Sequence, residues 1–332
     1  MGKKYHVAIV GATGAVGLEL LRVMERRDFP VADLRLLASP RSAGTKLKFR
    51  GEERVVAVLD EDSFAGIDLA FFSAGSGTAK QFASVAQRAG AVAIDNSSAF
   101  RMDAEVPLVI PEINPEDART HRGLIANPNC TTAVALMALH PLHQAFGLRR
   151  VFASSYQAVS GSGARAIAEL REQVEASVSN ASATPQVYPH PIAFNVIPHV
   201  DSFLENGYTR EEMKLQNEGR KMLHLPDFRA SLTCVRVPVY RAHSVALSAE
   251  FSRPISVEAA REVLAKAPGL DLIDEPSANR YPTPLDAAGK DNCQVGRLRI
   301  DCALDNGLSL WVAGDQLLKG AALNAVQIAE LL

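Results

Sequence analysis

The sequence predicts an α/β protein of two domains, a parallel sheet with helices on both faces followed by an α+β domain, and three observations carry that expectation. The chain has 332 residues, enough for two domains at roughly 150 residues each and for at least one full core. Up to residue 129, β-rich runs alternate with amphipathic ones: YHVAIV, VGLELLRVMERR, LRLLAS, VVAV, DLAFFSAG, TAKQFASVAQRAG and AVAIDNS. Such alternation is the pattern of βαβ units. From Cys130 onward an apolar helix, TTAVALMAL, precedes extended runs with few helices between them: RRVFASSYQAVS, SLTCVRVPVY, HSVALSAEFS and LRIDCAL. That ordering favours a mostly antiparallel or mixed sheet.

Each element has its own warrant. From Val16 to Arg27, the residues Val16, Leu20, Leu21, Val23 and Met24 recur near helical spacing and leave Glu19, Arg22, Glu25 and Arg26 to face water, as a helix on a sheet requires. Residues 177–198 are rich in Ser, Ala, Asn and Pro and read as loop. The closing KGAALNAVQIAELL is one more amphipathic helix. The domains therefore run over residues 1–129 and 130–315, with a C-terminal helix within 316–332 packing back on the first.

Composition narrows the function classes. Hydrophobic residues make up 47% and charged residues 22%, as in ordinary globular proteins. Lys and Arg total 35 against 37 Asp and Glu, a net charge of -2, so neither nucleic acid nor an anionic membrane is the expected partner. The opening MGKKYHVAIVGATG lacks the long apolar core of a secretion signal. No apolar run approaches the roughly 18 residues of a membrane span. Cys130, Cys234, Cys293 and Cys302 show no CxxC spacing and are too sparse for a disulfide framework. A reducing cytoplasm and small-molecule chemistry follow as expectations.

Gly11, Gly14 and Gly17 in GATGAVG follow a strand and open a helix. The spacing is GxxGxxG, but the logic is that of a dinucleotide loop: a tight turn, close backbone approach, and a helix N-terminus for a diphosphate. Where a second strand commonly ends in an acid that binds the ribose 2′-hydroxyl, this chain has Ser39, Arg41 and Ser42 and no carboxylate. Arginine followed by serine suits a 2′-phosphate, so NADP is the expected cofactor, with Arg41 and Ser42 as its ligands.

Cys130 in NPNCTT lies at the first turn of the following helix. The orphan N–H groups and positive dipole end there favour a thiolate over a thiol, whose unperturbed pKa is about 8.5. The same groups suit an oxyanion on a carbon attacked by that thiolate. Taken alone, a single cysteine is more often a small buried apolar residue. Paired with a nicotinamide it suggests aldehyde oxidation: addition of the thiolate, departure of hydride, and a thioester left for a second nucleophile.

GATGAVG, NPNCTT, SSYQAVSGSG and RVPVYRAHS, in that order, together with FFSAG, IDNSSAFRMD, VIPEIN and KGAALNAVQIAE, make the chain resemble the aspartate-β-semialdehyde dehydrogenase family over nearly its whole length. The resemblance implies an NADP-binding Rossmann domain joined to a glyceraldehyde-phosphate-dehydrogenase-like catalytic and dimerisation domain, and a homodimer. It also implies reversible conversion of aspartate semialdehyde, phosphate and NADP to aspartyl phosphate and NADPH, on the route to lysine, threonine and methionine, without a metal.

Carried over by position, the resemblance makes Cys130 the nucleophile and His243 the acid/base that takes a proton as the thiohemiacetal collapses. Gln157 would orient the substrate, Arg236 would grip its α-carboxylate through a planar guanidinium, and Glu218 would pair with its ammonium. Arg101, Lys221 and Asn129 would receive phosphate. Gly11, Thr13, Gly14, Ala15, Val16, Arg41, Ser42 and Ser73 would hold the cofactor, with Ser160, Gly161 and Gln316 at its nicotinamide end. Two departures stand out: Gly219 where the family commonly has Thr, and Gln316 where it commonly has Asn. HPLH, His140 to His143, is a weak metal spacing and reads as helix packing.

Two other readings compete. A reductase for another acyl phosphate, such as N-acetylglutamyl phosphate, would share the thiol chemistry, but an acetylated amine offers Glu218 no cation. A non-catalytic NADP-binding paralogue would have no use for Cys130, Gln157, Arg236 and His243 together.

Overall fold

The computed structural model describes residues 3–179, 181 and 183–332. Asn180 and Ser182 of the expected 177–198 loop lie outside the described residues. The chain forms two compact units, one comprising the residues up to Asn129 with Ala321–Leu332, the other Cys130–Gly320.

The first unit runs β1 (Tyr5–Val10), α1 (Ala15–Arg26), β2 (Val31–Ala38), β3 (Lys46–Phe49), β4 (Glu52–Val55), β5 (Ala57–Val58), β6 (Leu69–Phe72), α2 (Ser76–Arg88), β7 (Val92–Asp95), α3 (Pro115–Ala118) and β8 (Leu124–Ala126). Its six-stranded sheet has the order β5-β2-β1-β6-β7-β8, and every neighbouring pair is parallel. β1 leads through α1 to β2 on one side and β6 leads through α2 to β7 on the other. Right-handed crossovers therefore put the two helices on opposite faces. A sheet covered on both faces needs strands without a polar side, and Val7, Ala8, Ile9 and Val10 of β1 are all fully buried. One residue of α1 departs from the expected pattern: Glu19 is buried, and its carboxylate accepts from Arg22 Nη1 at 2.8 Å, an i,i+3 pair. The charge goes under because its own helix supplies the cation.

The second unit contains α4 (Cys130–Phe146), β9 (Leu148–Gln157), α5 (Ala164–Val178), α6 (Arg210–Met222), β10 (Arg229–Arg236), β11 (His243–Phe251), α7 (Val257–Ala265), β12 (Leu270–Leu272), α8 (Pro284–Ala287), β13 (Cys293–Ile300) and β14 (Gly307–Gly314). Its sheet, β10-β9-β11-β14-β13-β12, is mixed: β9 with β10 and β12 with β13 are parallel, the other neighbours antiparallel. The expectation of few helices between these strands is corrected here, because α5 and α6 separate β9 from β10 and α7 separates β11 from β12. α5 buries Ala166, Leu170 and Gln173, spaced i, i+4, i+7, and its last turn takes in Ser177 and Val178, the start of the expected loop. Thr209 and Glu212 start α6 with a reciprocal capping box. α4 packs against β9, β11, β13 and β14 and is buried from Thr131 to Leu139, while His140 and His143 lie in its last two turns.

A π-helical turn, Leu318–Ala322, leads to α9 (Leu323–Glu330), the regular part of the helix expected within 316–332. α9 packs on α1 in the first unit, buries Leu323, Val326 and Ile328, and is tied by Arg27, which donates twice to the Glu330 carboxylate at 2.8 and 2.6 Å. Among the described residues, no helix is long and apolar enough to cross a membrane.

Candidate active site

In the first unit the glycine loop joins β1 to α1 beside the end of β6. Gly11 has φ +87°, and a Cβ there would come within 2.9 Å of the Ser73 backbone. A Cβ on Gly17 would lie 2.7 Å from Ala12 Cα. The turn is thus tight enough to admit only glycine at both positions. Gly14 is the N-cap of α1, no side chain caps the helix, and its first turn contains no acid. An uncapped helix start without a carboxylate fits a diphosphate, so Gly11, Thr13, Gly14, Ala15 and Val16 suit the group expected there. Ser73 donates its hydroxyl to Val10 O at 3.0 Å. After β2 the chain makes a short 3-10 turn, Pro40–Ser42, on which Arg41 is exposed and Ser42 half-buried.

The turn before Cys130 is built from buried amides of the same unit. Asn127, fully buried, donates to Asn96 Oδ1 at 3.0 Å and accepts at its own Oδ1 from Asn324 Nδ2 at 2.7 Å. Arg101 is also buried, and donates from Nε to Asn127 O at 2.8 Å and from Nη2 to Asn96 O at 2.9 Å. Its guanidinium therefore braces the Asn-Pro-Asn turn, whatever else it binds. Asn129, at the end of that turn, is buried.

In the second unit Cys130 is the first residue of α4 and is partly exposed. Cys234 and Cys293 are buried on strands, and Cys302 is exposed beyond the end of β13. Burial pushes the Cys234 thiol far up, so it stays protonated. Gly320 packs directly on Cys130: a Cβ there would stand 2.7 Å from Cys130 Cβ and 3.4 Å from Gln316 Cβ. The π-helical turn brings this bare backbone against the cysteine, a use often made of such turns at functional sites.

The other predicted residues gather around Ala158, which follows the last residue of β9. The Ala158 N–H donates to His243 Nδ1 at 3.0 Å, and its carbonyl accepts from Arg236 Nη1 at 2.6 Å. Because Nδ1 accepts, the neutral imidazole carries its proton on Nε2. His243 is fully buried, and burial first, then the neighbouring Arg236 cation, lowers its pKa to about 3, against the opposing pull of Glu211. His243 Nε2 and Arg236 Nε are both buried without a hydrogen-bond partner among the described residues. Between them lies Gly161, where a Cβ would meet Arg236 Nη1, His243 Cε1 and His243 Nε2 at 3.1 Å each. Any side chain at 161 would crowd the imidazole Nε2 and the Arg236 guanidinium.

Gln316 is buried, accepts at Oε1 from the Ala242 N–H at 2.8 Å and donates from Nε2 to Ser160 Oγ. Its amide braces the residue before His243 and the one before Gly161, a role absent from the sequence expectation, which made it a cofactor contact. Glu218 and Lys221 lie one turn apart on α6, Glu218 buried and Lys221 half-buried, and α6 packs on α4. Gly219 has a local reason: a Cβ there would come 2.8 Å from the Phe228 ring.

Three residues of this cluster lie outside the sequence expectation. Ala158 acts through its backbone. Tyr188 places its ring 5.7 Å from the Arg236 guanidinium, and α5 holds its loop through Glu169, which accepts from the Gln186 N–H at 2.7 Å. Glu211, buried on α6, accepts from Gln157 Nε2 at 3.0 Å. An acid beside the Thr209 and Glu212 capping pattern was the available clue for the last.

A parallel-sheet unit with a glycine loop and a second unit carrying thiol, imidazole and guanidinium define the semialdehyde dehydrogenase class. Residues 6–121 match the semialdehyde dehydrogenase NAD binding domain, and residues 139–319 the semialdehyde dehydrogenase dimerisation domain. Over 332 residues, 100% of this chain and 98% of the relative, it is 51% identical to the aspartate-semialdehyde dehydrogenase of Synechocystis sp.. The enzyme of that name from Aquifex aeolicus is 52% identical, with 99% of this chain and 98% of the relative covered. Among solved structures, aspartate semialdehyde dehydrogenase II from Vibrio cholerae complexed with ASA superposes with a TM-score of 0.97 at 43% identity, covering 100% of this chain and 98% of that one. The chain belongs to the aspartate-semialdehyde dehydrogenase family.

Proposed function

We propose that this chain catalyses the reversible, phosphate-dependent oxidation of L-aspartate 4-semialdehyde to L-4-aspartyl phosphate with NADP. The observation that carries the reading is the pair of buried donors with no hydrogen-bond partner among the described residues, Arg236 Nε and His243 Nε2, with Gly161 lying against that imidazole nitrogen and against Nη1 of the same guanidinium. A buried donor is costly until paired. A carbonyl compound that also bears a carboxylate satisfies both donors.

Cys130 thiolate adds to the aldehyde carbon, and the carbonyl π pair becomes an alkoxide. His243 donates a hydrogen bond from Nε2 to that alkoxide; its Nδ1 is already committed to Ala158. Bound NADP supplies a hydride acceptor. Loss of hydride from the carbon bonded to sulfur leaves a thioester on Cys130. A phosphate oxygen then attacks the acyl carbon, the C–S bond breaks, and Cys130 leaves as thiolate with aspartyl phosphate as product. Arg236 holds the α-carboxylate, Glu218 the ammonium and Gln157 the acyl carbonyl, while Arg101, Lys221 and Asn129 receive phosphate.

Ser160, Gly161 and Gln316 border the nicotinamide end of the cofactor, with Gln316 acting through Ser160. The chain works as a homodimer in the cytoplasm, where its thiols stay reduced, and would supply the route to lysine, threonine and methionine. The dimer reading is supported by the dimerisation-domain match and by a sheet face on which Phe152 is 48% exposed.

The test is NADPH formation from aspartate semialdehyde with and without phosphate. Turnover that needs phosphate is expected; faster NADPH oxidation with N-acetylglutamyl phosphate than with aspartyl phosphate would overturn the substrate. Cofactor choice is read separately with Arg41→Ala. Loss of one charge-assisted hydrogen bond to the 2′-phosphate, about 1.5 kcal/mol, raises KM for NADP about tenfold and leaves KM for NAD unchanged. Equal effects on both cofactors would remove Arg41 from the 2′-phosphate site.

A further inference from the structure

We propose that Glu211 is a positioning residue for this reaction: its carboxylate dictates which way round the Gln157 amide faces the substrate carbonyl. The inference rests on the reaction proposed above. Gln157 ends β9, and both of its polar side-chain atoms are engaged: Nε2 donates to Glu211 Oε1 at 3.0 Å, and Oε1 accepts from Ser155 Oγ at 3.0 Å. An amide has two orientations of similar shape, and only its neighbours distinguish them. Serine cannot, because a hydroxyl donates or accepts with equal ease. An ionised carboxylate only accepts, so Glu211 forces the Gln157 nitrogen towards itself and leaves the oxygen on the Ser155 side.

The frame around this contact is stiff. Glu212, the next residue, accepts from the Cys234 N–H at 3.0 Å and from the Thr209 N–H at 2.7 Å, which ties the first turn of α6 to β10. Ala158, the residue after Gln157, holds both His243 and Arg236 through its backbone. A flipped amide would therefore present the wrong group against an otherwise unchanged site. Glu211 is 7% exposed, so taking its carboxylate out of water carries a desolvation cost. Lys214 offsets it, with Nζ 2.7 Å from Glu211 Oε2 and 3.3 Å from Asp201 Oδ2. Ion pairs of this kind are weak evidence of a stabilising role, whereas fixing an amide is something only the charge achieves.

Glu211→Gln and Glu211→Asp separate orientation from packing. Gln keeps the size of Glu but donates as well as accepts; Asp is shorter but still only accepts. The measurement is kcat and KM for aspartate semialdehyde, with KM for NADP as the control for folding. A positioning role gives a kcat about 10- to 100-fold lower in Glu211→Gln, the scale of a small misplacement at a reacting centre. KM for NADP stays unchanged, and Glu211→Asp retains more kcat than Glu211→Gln. A Glu211→Gln enzyme within twofold of wild type, or a Glu211→Asp enzyme no better than it, overturns the proposal. Wild type without phosphate-dependent turnover would overturn the reaction itself, and the positioning role with it, since no acyl carbonyl would then need orienting.

Discussion

Cys130→Ala abolishes phosphate-dependent NADPH formation, a loss of about 10⁴-fold or more in kcat, while NADP binding and the melting temperature stay at wild-type values. The size follows from removing a covalent nucleophile, after which only binding and oxyanion stabilisation remain. The selectivity follows from the packing. Alanine keeps the Cβ against which Gly320 sits and deletes only a partly exposed sulfur at the first residue of α4. No buried cavity opens, and the turn braced by Arg101 and Asn127 precedes the changed atom. Rapid acylation by semialdehyde in the variant, or turnover above 1% of wild type on the scale of that loss, would show that another group carries the acyl chain. Serine in place of alanine fills the site without rescuing it, because a hydroxyl is a far weaker nucleophile near neutral pH.

What could be read in advance, and what could not, divides along the range of the interaction. The glycine loop was legible because strand, turn and helix are contiguous, and the constraints at Gly11 and Gly17 arise within a few residues and from the end of the neighbouring strand β6. Cys130 was legible as a helix start for the same reason. The parallel sheet followed from alternating segments, while its strand order did not. In the second unit the helices α5, α6 and α7 lie outside the sequence expectation. α6 is nearly all polar, so its signal lay in the Thr209 and Glu212 cap rather than in hydrophobic spacing. Site contacts were the least accessible: Gln157 meets Glu211 at a separation of 54 residues, and His243 meets Ala158 at 85. The second of these is made by a backbone N–H, which every residue but proline has. No pattern of side chains announces it. Gln316 is a further case, since its bonds to Ala242 and Ser160 join residues far apart in the chain.

His243 carries the sharpest consequence of that backbone contact. With Nδ1 accepting from Ala158 and burial lowering its pKa to about 3, the ring is held neutral with its proton on Nε2. In that state Nε2 gives a hydrogen bond to an alkoxide and has no lone pair with which to take a proton. Beside the sequence expectation of an acid/base stands a proposed donor, and two substitutions distinguish them. In His243→Gln an amide N–H reaches towards the former Nε2 position and still donates, whereas His243→Asn keeps an acceptor near Ala158 and leaves the Nε2 position without a donor. A donor role gives a kcat about 10²- to 10⁴-fold lower for Asn and a clearly smaller loss for Gln. Equal losses would restore the proton acceptor.

The pH dependence gives an independent check with a definite sign. The unfolded chain takes up a proton at this histidine as pH falls through about 6.5, and the folded chain does not until about 3. In that window the unfolded state binds more protons, so stability contributed here is present above pH 6.5 and lost as pH falls, by up to about 1.4 kcal/mol per unit. Denaturant unfolding at pH 5 and pH 7 should show a steeper loss for wild type than for His243→Asn. Parallel losses in the two proteins would mean that the pKa of the buried ring is not lowered, and the assignment of a neutral ring would fall.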